Sequence, residues 1–302
     1  MGEAWRSTPG WSLVERASEA VGRDLGRLLL EADADELRRP REAQVSTFLA
    51  SLLALEALRE AGALDRLAPV AVAGHSLGEY SALVAAGAVA PETGLALVAE
   101  RGEAMQAAAD ARPGTMAAVL GLDAEGVAAA CADARERGEE VWPANDNVAQ
   151  QLVVSGTASG VEAAGALAKE RGARRVVPIP VGGAYHTPLM APAEERLARA
   201  LAAAEYADST LPLVANVDAA PHTAAGEWPG LLRRQLTAPV RWRETLAHLA
   251  GEGVDLQVEV GPGGVLTGLA KRGLPGARAL SVAGPADVDA LLADEALAGG
   301  AA

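Results

Sequence analysis

A Gly-x-Ser-x-Gly pentapeptide, Gly-His-Ser-Leu-Gly at residues 74–78, follows a short apolar run and precedes a helical pattern. A strand, a tight glycine turn and a helix together expose a nucleophilic serine, because the turn aims the helix N-terminus at the hydroxyl group. We expect side chains at Gly74 and Gly78 to crowd this strained turn. The pattern predicts Ser76 as a nucleophile and the Leu77 N–H as a donor to an oxyanion, with an ordinary structural turn as the alternative.

A serine nucleophile needs a base, and the chain contains four histidines. His75 adjoins the serine on the turn, where we expect its ring to point away from Ser76. His222 follows a proline in a polar loop, and His248 lies in a helical stretch where a role on the helix face is expected. His186 follows Gly-Gly-Ala-Tyr at the end of a strand pattern. Its position makes His186 a candidate base, with a structural role equally open.

Length and composition limit the class of protein. The 302 residues are 50 % hydrophobic, enough for a large core in about two domains or in one domain with an insertion. The net charge of −14 would repel a phosphate backbone, so nucleic acid is not an expected partner. The single cysteine, Cys131, excludes an internal disulfide and predicts a buried packing role. Without a signal peptide pattern or an apolar run of about 20 residues, the chain is expected to be cytoplasmic and away from membranes.

The elements that must position these residues follow an α/β pattern. Apolar spacing predicts a helix over residues 42–61, a buried strand over 70–73 and a helix over 79–86. The next segments predict strand, helix, strand, strand, helix and strand over 115–120, 124–135, 140–144, 151–155, 159–171 and 175–180, the second helix starting at a Ser159 capping box. This βαββαβ order is ferredoxin-like. We predict a ferredoxin-like subdomain over 114–181, inserted in a body of the α/β class with a parallel sheet over 1–113 and 182–302.

Five segments resemble one known family. Gly-His-Ser-Leu-Gly-Glu-Tyr at residues 74–80 is similar to the nucleophile motif of the malonyl-CoA:acyl-carrier-protein transacylases and of the related polyketide synthase acyltransferase domains. The other segments, which follow in the family's order, are Arg-Gly-Glu-Ala-Met-Gln at 101–106, Tyr-His-Thr-Pro-Leu-Met at 185–190, Arg-Gln-Leu-Thr-Ala-Pro-Val-Arg-Trp at 234–242 and Glu-Val-Gly-Pro-Gly-Gly-Val-Leu-Thr-Gly at 259–268. The family's fold is an α/β-hydrolase-like body with a ferredoxin-like insertion, in agreement with the pattern above.

The resemblance implies a role for each matched residue. Ser76 would be the nucleophile, and His186 its general base and then acid. Gln235 would help to hold the histidine or the site loop, where a hydrolase would use Asp or Glu. Arg101 would bind the malonyl carboxylate, which a guanidinium grips in a bidentate manner. Gln44 resembles a family glutamine near the pocket, and a polar residue on an exposed helix turn is the alternative.

The resemblance also bears on the acyl group and on the start of the chain. In related acyltransferases a bulky aromatic before the histidine is typical of malonyl rather than methylmalonyl selection, and Tyr185 fits that pattern.

The family opens with an apolar strand and a Gly-Gln-Gly-Ser-Gln-type loop that supplies a second oxyanion donor. This sequence starts at residues that resemble those just after the loop. We therefore expect the first strand and that donor to be absent, and losing one donor costs about 10²–10³ in rate.

The implied reaction is a ping-pong transfer from malonyl-CoA to the phosphopantetheine thiol of an acyl carrier protein, by a monomer and without a metal or other cofactor. The family's carrier protein is acidic, so an acidic enzyme would have to dock it through a local basic patch. One candidate cluster holds Arg171, Arg174 and Arg175, and the other holds Arg233, Arg234, Lys271 and Arg272. Ordinary solvated surface charges are the alternative for both clusters.

Two other functions stay open. A serine esterase or thioesterase would share the pentapeptide and a late histidine, although it would need no arginine for a substrate carboxylate. A degenerate transacylase paralogue that only binds partners is the other alternative, although it would have no need for Ser76, His186 and Arg101 together. The pathway is open as well, between fatty acid synthesis, polyketide synthesis and malonate metabolism.

Overall fold

The computed structural model of the chain describes residues 1–294 and alternates helices with short strands. The α-helices are α1 (Ser12–Val21), α2 (Leu25–Glu31), α3 (Ala34–Leu37), α4 (Pro40–Glu60), α5 (Ala63–Leu67), α6 (Gly78–Ala85), α7 (Pro91–Ala111), α8 (Ala124–Glu136), α9 (Ala158–Glu170), α10 (Ala191–Ala203), α11 (Trp228–Gln235), α12 (Trp242–Gly251), α13 (Val265–Gly273) and α14 (Pro285–Leu292). The strands are β1 (Val72–Ala73), β2 (Thr115–Leu120), β3 (Val141–Val148), β4 (Gln151–Gly156), β5 (Arg175–Ile179), β6 (Leu213–Val214), β7 (Pro221–His222), β8 (Leu256–Val260) and β9 (Arg278–Val282). Short 3-10 turns lie at Glu3–Trp5, Pro9–Trp11, Pro188–Met190 and Ala225–Glu227.

Helices α4 and α7 pack closely because two glycines of α7 leave room for α4. A Cβ atom at Gly94 would lie 2.8 Å from the Cζ atom of Phe48, and one at Gly102 would lie 2.8 Å from the Cα atom of Arg41. Both distances are shorter than packed carbon atoms allow. The two helices contribute many side chains to the main hydrophobic core. Their close approach also brings the polar residues that each carries into one site.

The strands of the body form two small sheets. Strand β1 is parallel to β6, and β8 is parallel to β9. Both pairings have the predicted parallel direction, and the two-residue strand β7 adds an antiparallel edge beside β6. The reason is a tight turn between β6 and β7, in which the N–H of Ala219 donates to the carbonyl of Ala215 and Ala219 has a φ of 55°. Within residues 1–294 no strand pairing joins the β1–β6–β7 sheet to the β8–β9 sheet.

Residues 115–179 form one antiparallel sheet in the order β3-β4-β2-β5, with α8 and α9 packed together on it. The predicted α/β class and its βαββαβ motif are therefore confirmed. The core of this unit is built from small and branched side chains such as Val127, Val154 and Cys131. Burial raises the pKa of the Cys131 thiol to about 12, so this cysteine has the predicted packing role.

The outer strand β3 of this unit is attached to the body. The N–H of Val240 donates to the carbonyl of Ala144 at 2.9 Å, and the N–H of Asp146 donates to the carbonyl of Val240 at 2.9 Å. This short parallel bridge extends the sheet by one residue of the body. Strand β3 reaches Val148, beyond the predicted end at residue 144, because it stays paired with β4 as far as Val148 opposite Gln151.

Two of the element starts that differ from the sequence prediction, those of β1 and α9, have a clear physical cause. Strand β1 begins at Val72, because Val70 is 61 % exposed and precedes the paired residues. Helix α9 is capped by Thr157, whose hydroxyl accepts from the N–H of Gly160 at 3.1 Å. The Ser159 hydroxyl instead donates to Glu139 at 2.6 Å, so the predicted Ser159 capping box is wrong. Both threonine and serine can cap a helix, and here the threonine lies at the position with extended backbone.

Candidate active site

The turn between β1 and α6 holds Ser76 in a left-handed conformation, with a φ of 53°. A Cβ atom at Gly74 would lie 2.0 Å from the carbonyl carbon of Gly78, so no other residue fits there without moving the backbone. A Cβ atom at Gly78 would meet nothing within 4 Å. The expected crowding is therefore confirmed for Gly74 and wrong for Gly78, because Gly78 already lies on the open side of α6.

Ser76 and His186 lie together although 110 residues separate them. The Oγ atom of Ser76 is 2.8 Å from Nε2 of His186, and Nδ1 of His186 is 2.9 Å from the backbone carbonyl oxygen of Gln235. A carbonyl can only accept, so Nδ1 carries the proton and Nε2 is free to accept from the serine hydroxyl. The arrangement can therefore take the Ser76 proton during an attack on a carbonyl.

Burial, together with the nearby charge of Arg101, lowers the pKa of His186 to about 3. His186 is 5 % exposed and has a φ of 59°, so the fold holds both its ring and its backbone in a fixed position. The imidazole is thus neutral at physiological pH, as a general base must be. Its hydrogen-bond partner is a neutral carbonyl rather than the carboxylate of a Ser-His-Asp triad.

Arg101 of α7 is 1 % exposed and points at the nucleophile. Its Nη2 atom donates to Ser76 Oγ at 3.1 Å and to Gln235 Oε1 at 2.9 Å, and its Nη1 atom donates to Gln44 Oε1 at 2.5 Å. The guanidinium also lies over the ring of Tyr80, 5.5 Å from the ring centre. Its Nε–H has no partner among residues 1–294. A buried guanidinium without a carboxylate partner is suited to bind an anionic group of a substrate.

Gln235 connects these groups to the base of the turn. Its Nε2 atom donates to the carbonyl of Ser76 at 2.8 Å and to the carboxylate of Glu79. The other Glu79 oxygen accepts from the N–H of Asn216 at 2.8 Å, and the Asn216 side chain in turn accepts from the N–H of Ser76 at 2.6 Å. Three buried polar side chains therefore fix the nucleophile's backbone on two sides.

Sequence reasoning assigned no role to Glu79 or Asn216. Glu79 stands inside the matched nucleophile motif, where it reads as an ordinary first-turn glutamate of α6. Asn216 follows the short strand β6, and a polar residue just after a buried strand is the one signal that indicates it. The contacts of both residues depend on the packing of separate elements, which a single sequence does not display.

Leu77 and Tyr185 flank the two reacting residues. Leu77 precedes α6, and its N–H has no hydrogen-bond partner in the described part of the chain, so it is available to an oxyanion. The ring of Tyr185 covers the backbone of Gly183, where a Cβ atom would lie 2.3 Å from a ring carbon. Burial raises the pKa of Tyr185 to about 12, while the charge of Arg101 acts in the opposite direction. Tyr185 is thus part of the apolar wall beside Arg101.

The other three histidines lie outside the reacting centre. His75 points away from Ser76 as expected, with Nε2 2.9 Å from Oδ1 of Asn147 and its ring 5.4 Å from that of Trp242. His222 lies between the carboxylates of Asp218 and Glu227, and His248 lies in α12.

Three cations of the two predicted basic clusters form salt bridges with carboxylates of the same chain. Arg171 pairs with Asp133, Arg233 with Glu194 and Arg234 with Asp218. The remaining cations, which form no salt bridge within residues 1–294, are Arg174, Arg175, Lys271 and Arg272. The carboxylate partners are 38, 39 and 16 residues away in sequence, which is why composition alone did not reveal them.

Among residues 1–294, no group of three or more His, Cys, Asp or Glu side chains is arranged to hold a metal ion. None of the described helices is both long enough and apolar enough to cross a membrane.

Comparison with known proteins identifies the family to which this chain is similar. A family model described as "Acyl transferase domain" matches residues 9–290. The malonyl CoA-acyl carrier protein transacylase of Bacillus subtilis is 41 % identical over 277 residues, which are 92 % of this chain and 86 % of the relative. The protein of the same name from Escherichia coli is 42 % identical over 256 residues, which are 85 % of this chain and 82 % of the relative.

Solved structures show the same similarity in three dimensions. An acyl carrier protein S-malonyltransferase from Vibrio cholerae has a TM-score of 0.88 at 39 % identity, covering 93 % of this chain and 91 % of that one. A malonyl-transacylase solved in complex with its type II PKS acyl-carrier protein has a TM-score of 0.89 at 36 % identity, covering 97 % and 94 %. The chain therefore belongs to the acyltransferase family that includes the malonyl-CoA:acyl-carrier-protein transacylases.

Proposed function

We propose that this protein transfers a malonyl group from CoA to the phosphopantetheine thiol of an acyl carrier protein, in fatty acid or polyketide synthesis, through an ester on Ser76. The observation that carries the proposal is the continuous chain of contacts from Arg101 through Ser76 and His186 to Gln235. It places a buried cation beside a serine that already has its base.

In the first half-reaction, Ser76 Oγ attacks the thioester carbonyl of malonyl-CoA while its proton passes to Nε2 of His186. The Leu77 N–H stabilises the oxyanion at the N-terminus of α6. The carbon–sulfur bond then breaks, and CoA leaves with the proton from His186. The products are free CoA and a malonyl ester of Ser76.

In the second half-reaction, His186 takes the proton of the phosphopantetheine thiol, whose sulfur attacks the ester. The bond to Ser76 breaks, and the serine oxygen recovers the proton from His186. Arg101 holds the malonyl carboxylate throughout, so neutral acyl groups bind less well. Because the chain itself supplies nucleophile, base and oxyanion donor, we propose that no metal or redox cofactor takes part.

We also propose that the acidic carrier protein docks on cations that are free of internal ion pairs. Lys271 and Arg272 lie in the last turn of α13, and Arg174 and Arg175 lie at the start of β5. Charge reversal at the docking cluster should lower the rate of the second half-reaction and leave the rate of acylation by malonyl-CoA unchanged. The rate toward carrier protein, measured for one double reversal per cluster, identifies the cluster. An unchanged rate for both would contradict docking on these cations.

The direct test is the intact mass of the protein after brief incubation with malonyl-CoA, with Ser76→Ala as control. We expect a malonyl adduct that requires Ser76, persists in water and is discharged by carrier protein. Rapid discharge by water would indicate the esterase or thioesterase alternative. No adduct from the folded protein would support the binding-only alternative.

We propose a monomer as the working unit, because the nucleophile, base and arginine of a single chain are already in contact. We place the reaction in the cytoplasm, where CoA thioesters are made and used. Light scattering at enzyme concentrations used in the assay tests the first statement, and fractionation of the source cell tests the second.

A further inference from the structure

Glu79 is a buried carboxylate that the transfer steps above do not use. It lies in the first turn of α6, directly after the nucleophile turn, and is 1 % exposed. It forms no salt bridge with any residue in the range 1–294. A buried carboxylate without an ion pair is costly to a fold, so its contacts need an explanation.

Both partners of Glu79 are donors. The N–H of Asn216 donates to Oε1, and the side-chain Nε2 of Gln235 donates to Oε2. A backbone N–H has no other option. The direction of the Gln235 amide follows from Arg101, because a guanidinium can only donate and therefore requires Oε1 of Gln235 to face it.

A neutral side chain at position 79 cannot satisfy this arrangement. A protonated carboxyl, or the amide of a glutamine, would direct a hydrogen at either Asn216 or Gln235, each of which already directs one back. Relief would require the Gln235 amide to turn over, and its NH₂ would then face the guanidinium of Arg101. Only an ionised Glu79 keeps every group in this network paired.

We propose that ionised Glu79 is a positioning residue for acyl transfer, which orients the Gln235 amide toward Arg101 and fixes Asn216 beneath the Ser76 N–H. The inference rests on the proposed function. Glu79 touches neither the substrate nor the reacting atoms, and it acts through Gln235 and Asn216.

The same geometry makes the rate depend on pH. Burial raises the pKa of Glu79 to about 7; the hydrogen bonds from Asn216 and Gln235 and the charge of Arg101 oppose this, and the charge of Asp218 reinforces it. The pKa of His186 is lowered to about 3, mainly by burial, so protonation of the base lies far below this range. A loss of rate near neutral pH that disappears in Glu79→Gln would therefore report Glu79 and not His186.

The test is the rate of Ser76 acylation by malonyl-CoA between pH 5 and pH 9 for the full chain, followed by rapid quench and intact mass. The variants are Glu79→Gln, Glu79→Asp and the control Glu259→Gln. Glu259 is also a buried glutamate, but it accepts from the N–H groups of Leu266 and Thr267 at the start of α13.

We expect the wild-type rate to fall about tenfold per pH unit on the acid side of an apparent pKa near that of Glu79. Glu79→Gln should be slower by about 10- to 100-fold at pH 8, the loss from one unsatisfied buried polar group, and should lack this acid limb. Glu79→Asp should keep an acid limb with a displaced midpoint and a lower plateau. Glu259→Gln should keep the wild-type limb.

An unaltered limb and plateau in either Glu79 variant would overturn the inference, and so would loss of the limb in Glu259→Gln. If Glu79→Gln does not fold, the profile of Glu79→Asp decides. Failure of the proposed function looks different, because the wild-type protein would then form no malonyl adduct at any pH.

Discussion

The Nη2 atom of Arg101 lies 3.1 Å from the Oγ atom of Ser76, so the cation proposed to hold the substrate's carboxylate also touches the nucleophile. The charge of Arg101 is, after burial, the second cause of the low pKa of His186. A bound carboxylate would neutralise that charge and raise the proton affinity of the base. A malonyl group would thus strengthen the base that an uncharged acyl group leaves weak.

Replacement of Arg101 tests this relationship. We expect Arg101→Ala to slow acylation by malonyl-CoA about 100-fold, because a charge-assisted contact contributes about 3 kcal/mol. Acylation by acetyl-CoA should not slow, because the charge that lowers the pKa of His186 is also gone. Rapid-quench mass spectrometry with both thioesters measures the ratio. The control is Arg196→Ala, which removes a surface ion pair with Glu100; equal losses for both thioesters in Arg101→Ala would contradict the selectivity argument.

The two glycines of the pentapeptide should respond differently to the same substitution. Gly74→Ala places a Cβ atom 2.0 Å from the backbone of Gly78 and should destabilise the fold by about 3 kcal/mol or more. Gly78→Ala meets open space at the first residue of α6, where alanine is the better helix former. Its free energy of unfolding should lie within about 1 kcal/mol of that of the wild type. Thermal denaturation followed by circular dichroism compares them. A stable Gly74→Ala would mean that the turn can relax.

His186 should make the protein sensitive to acid. Its pKa falls from 6.5 to about 3 on folding, mainly through burial, so the unfolded chain binds the proton first and stability is lost as pH falls below 6.5. Between pH 6.5 and 4.5 this site alone should cost about 2 kcal/mol. Urea unfolding at both pH values should show a smaller loss for His186→Gln than for wild type. His248→Gln is the matched control, and an equal loss in all three proteins would count against the buried neutral imidazole.

Gln44 should matter through Arg101. Its Oε1 atom accepts from Nη1 at 2.5 Å, and Nε2 lies 2.9 Å from the sulfur of Met105. Gln44→Met keeps the volume but leaves one buried guanidinium N–H unpaired, at a cost of about 1–3 kcal/mol. We expect a KM for malonyl-CoA that is about 10-fold higher with a smaller change in kcat. Steady-state kinetics with saturating carrier protein checks this, and an unchanged KM would show that Gln44 does not support the guanidinium.

Local pattern was enough to predict the elements that carry the motifs. Strand β2 has the predicted limits, and α4, α6 and α8 lie within two residues of prediction, because apolar spacing and glycine stops act locally. The antiparallel direction of β7 depends on a tight turn, and the attachment of β3 to the body depends on Val240, a partner far away in the chain. Such long-range partners are invisible in a single sequence.

The site residues also divide into those that local motifs predict and those that depend on contacts far away in the chain. The pentapeptide and the family resemblance indicated Ser76, His186 and Arg101, which the structure brings into contact. The resemblance left the role of Gln235 unspecific, and the structure gives it separate tasks for its backbone carbonyl and its amide. Glu79 could not have been assigned in this way, because its role depends on which neighbours donate hydrogen bonds.

The bridge at Val240 sets a boundary for protein engineering. Exchange of residues 115–179 between relatives would replace the edge of strand β3. The partner of its two backbone hydrogen bonds, Val240, would still come from the recipient protein. A graft that keeps the recipient's Val240 must reproduce the backbone at Ala144 and Asp146, or it leaves an open edge that can pair with other chains. Chimeras that exchange this unit should therefore carry the segment around residue 240 from the same donor.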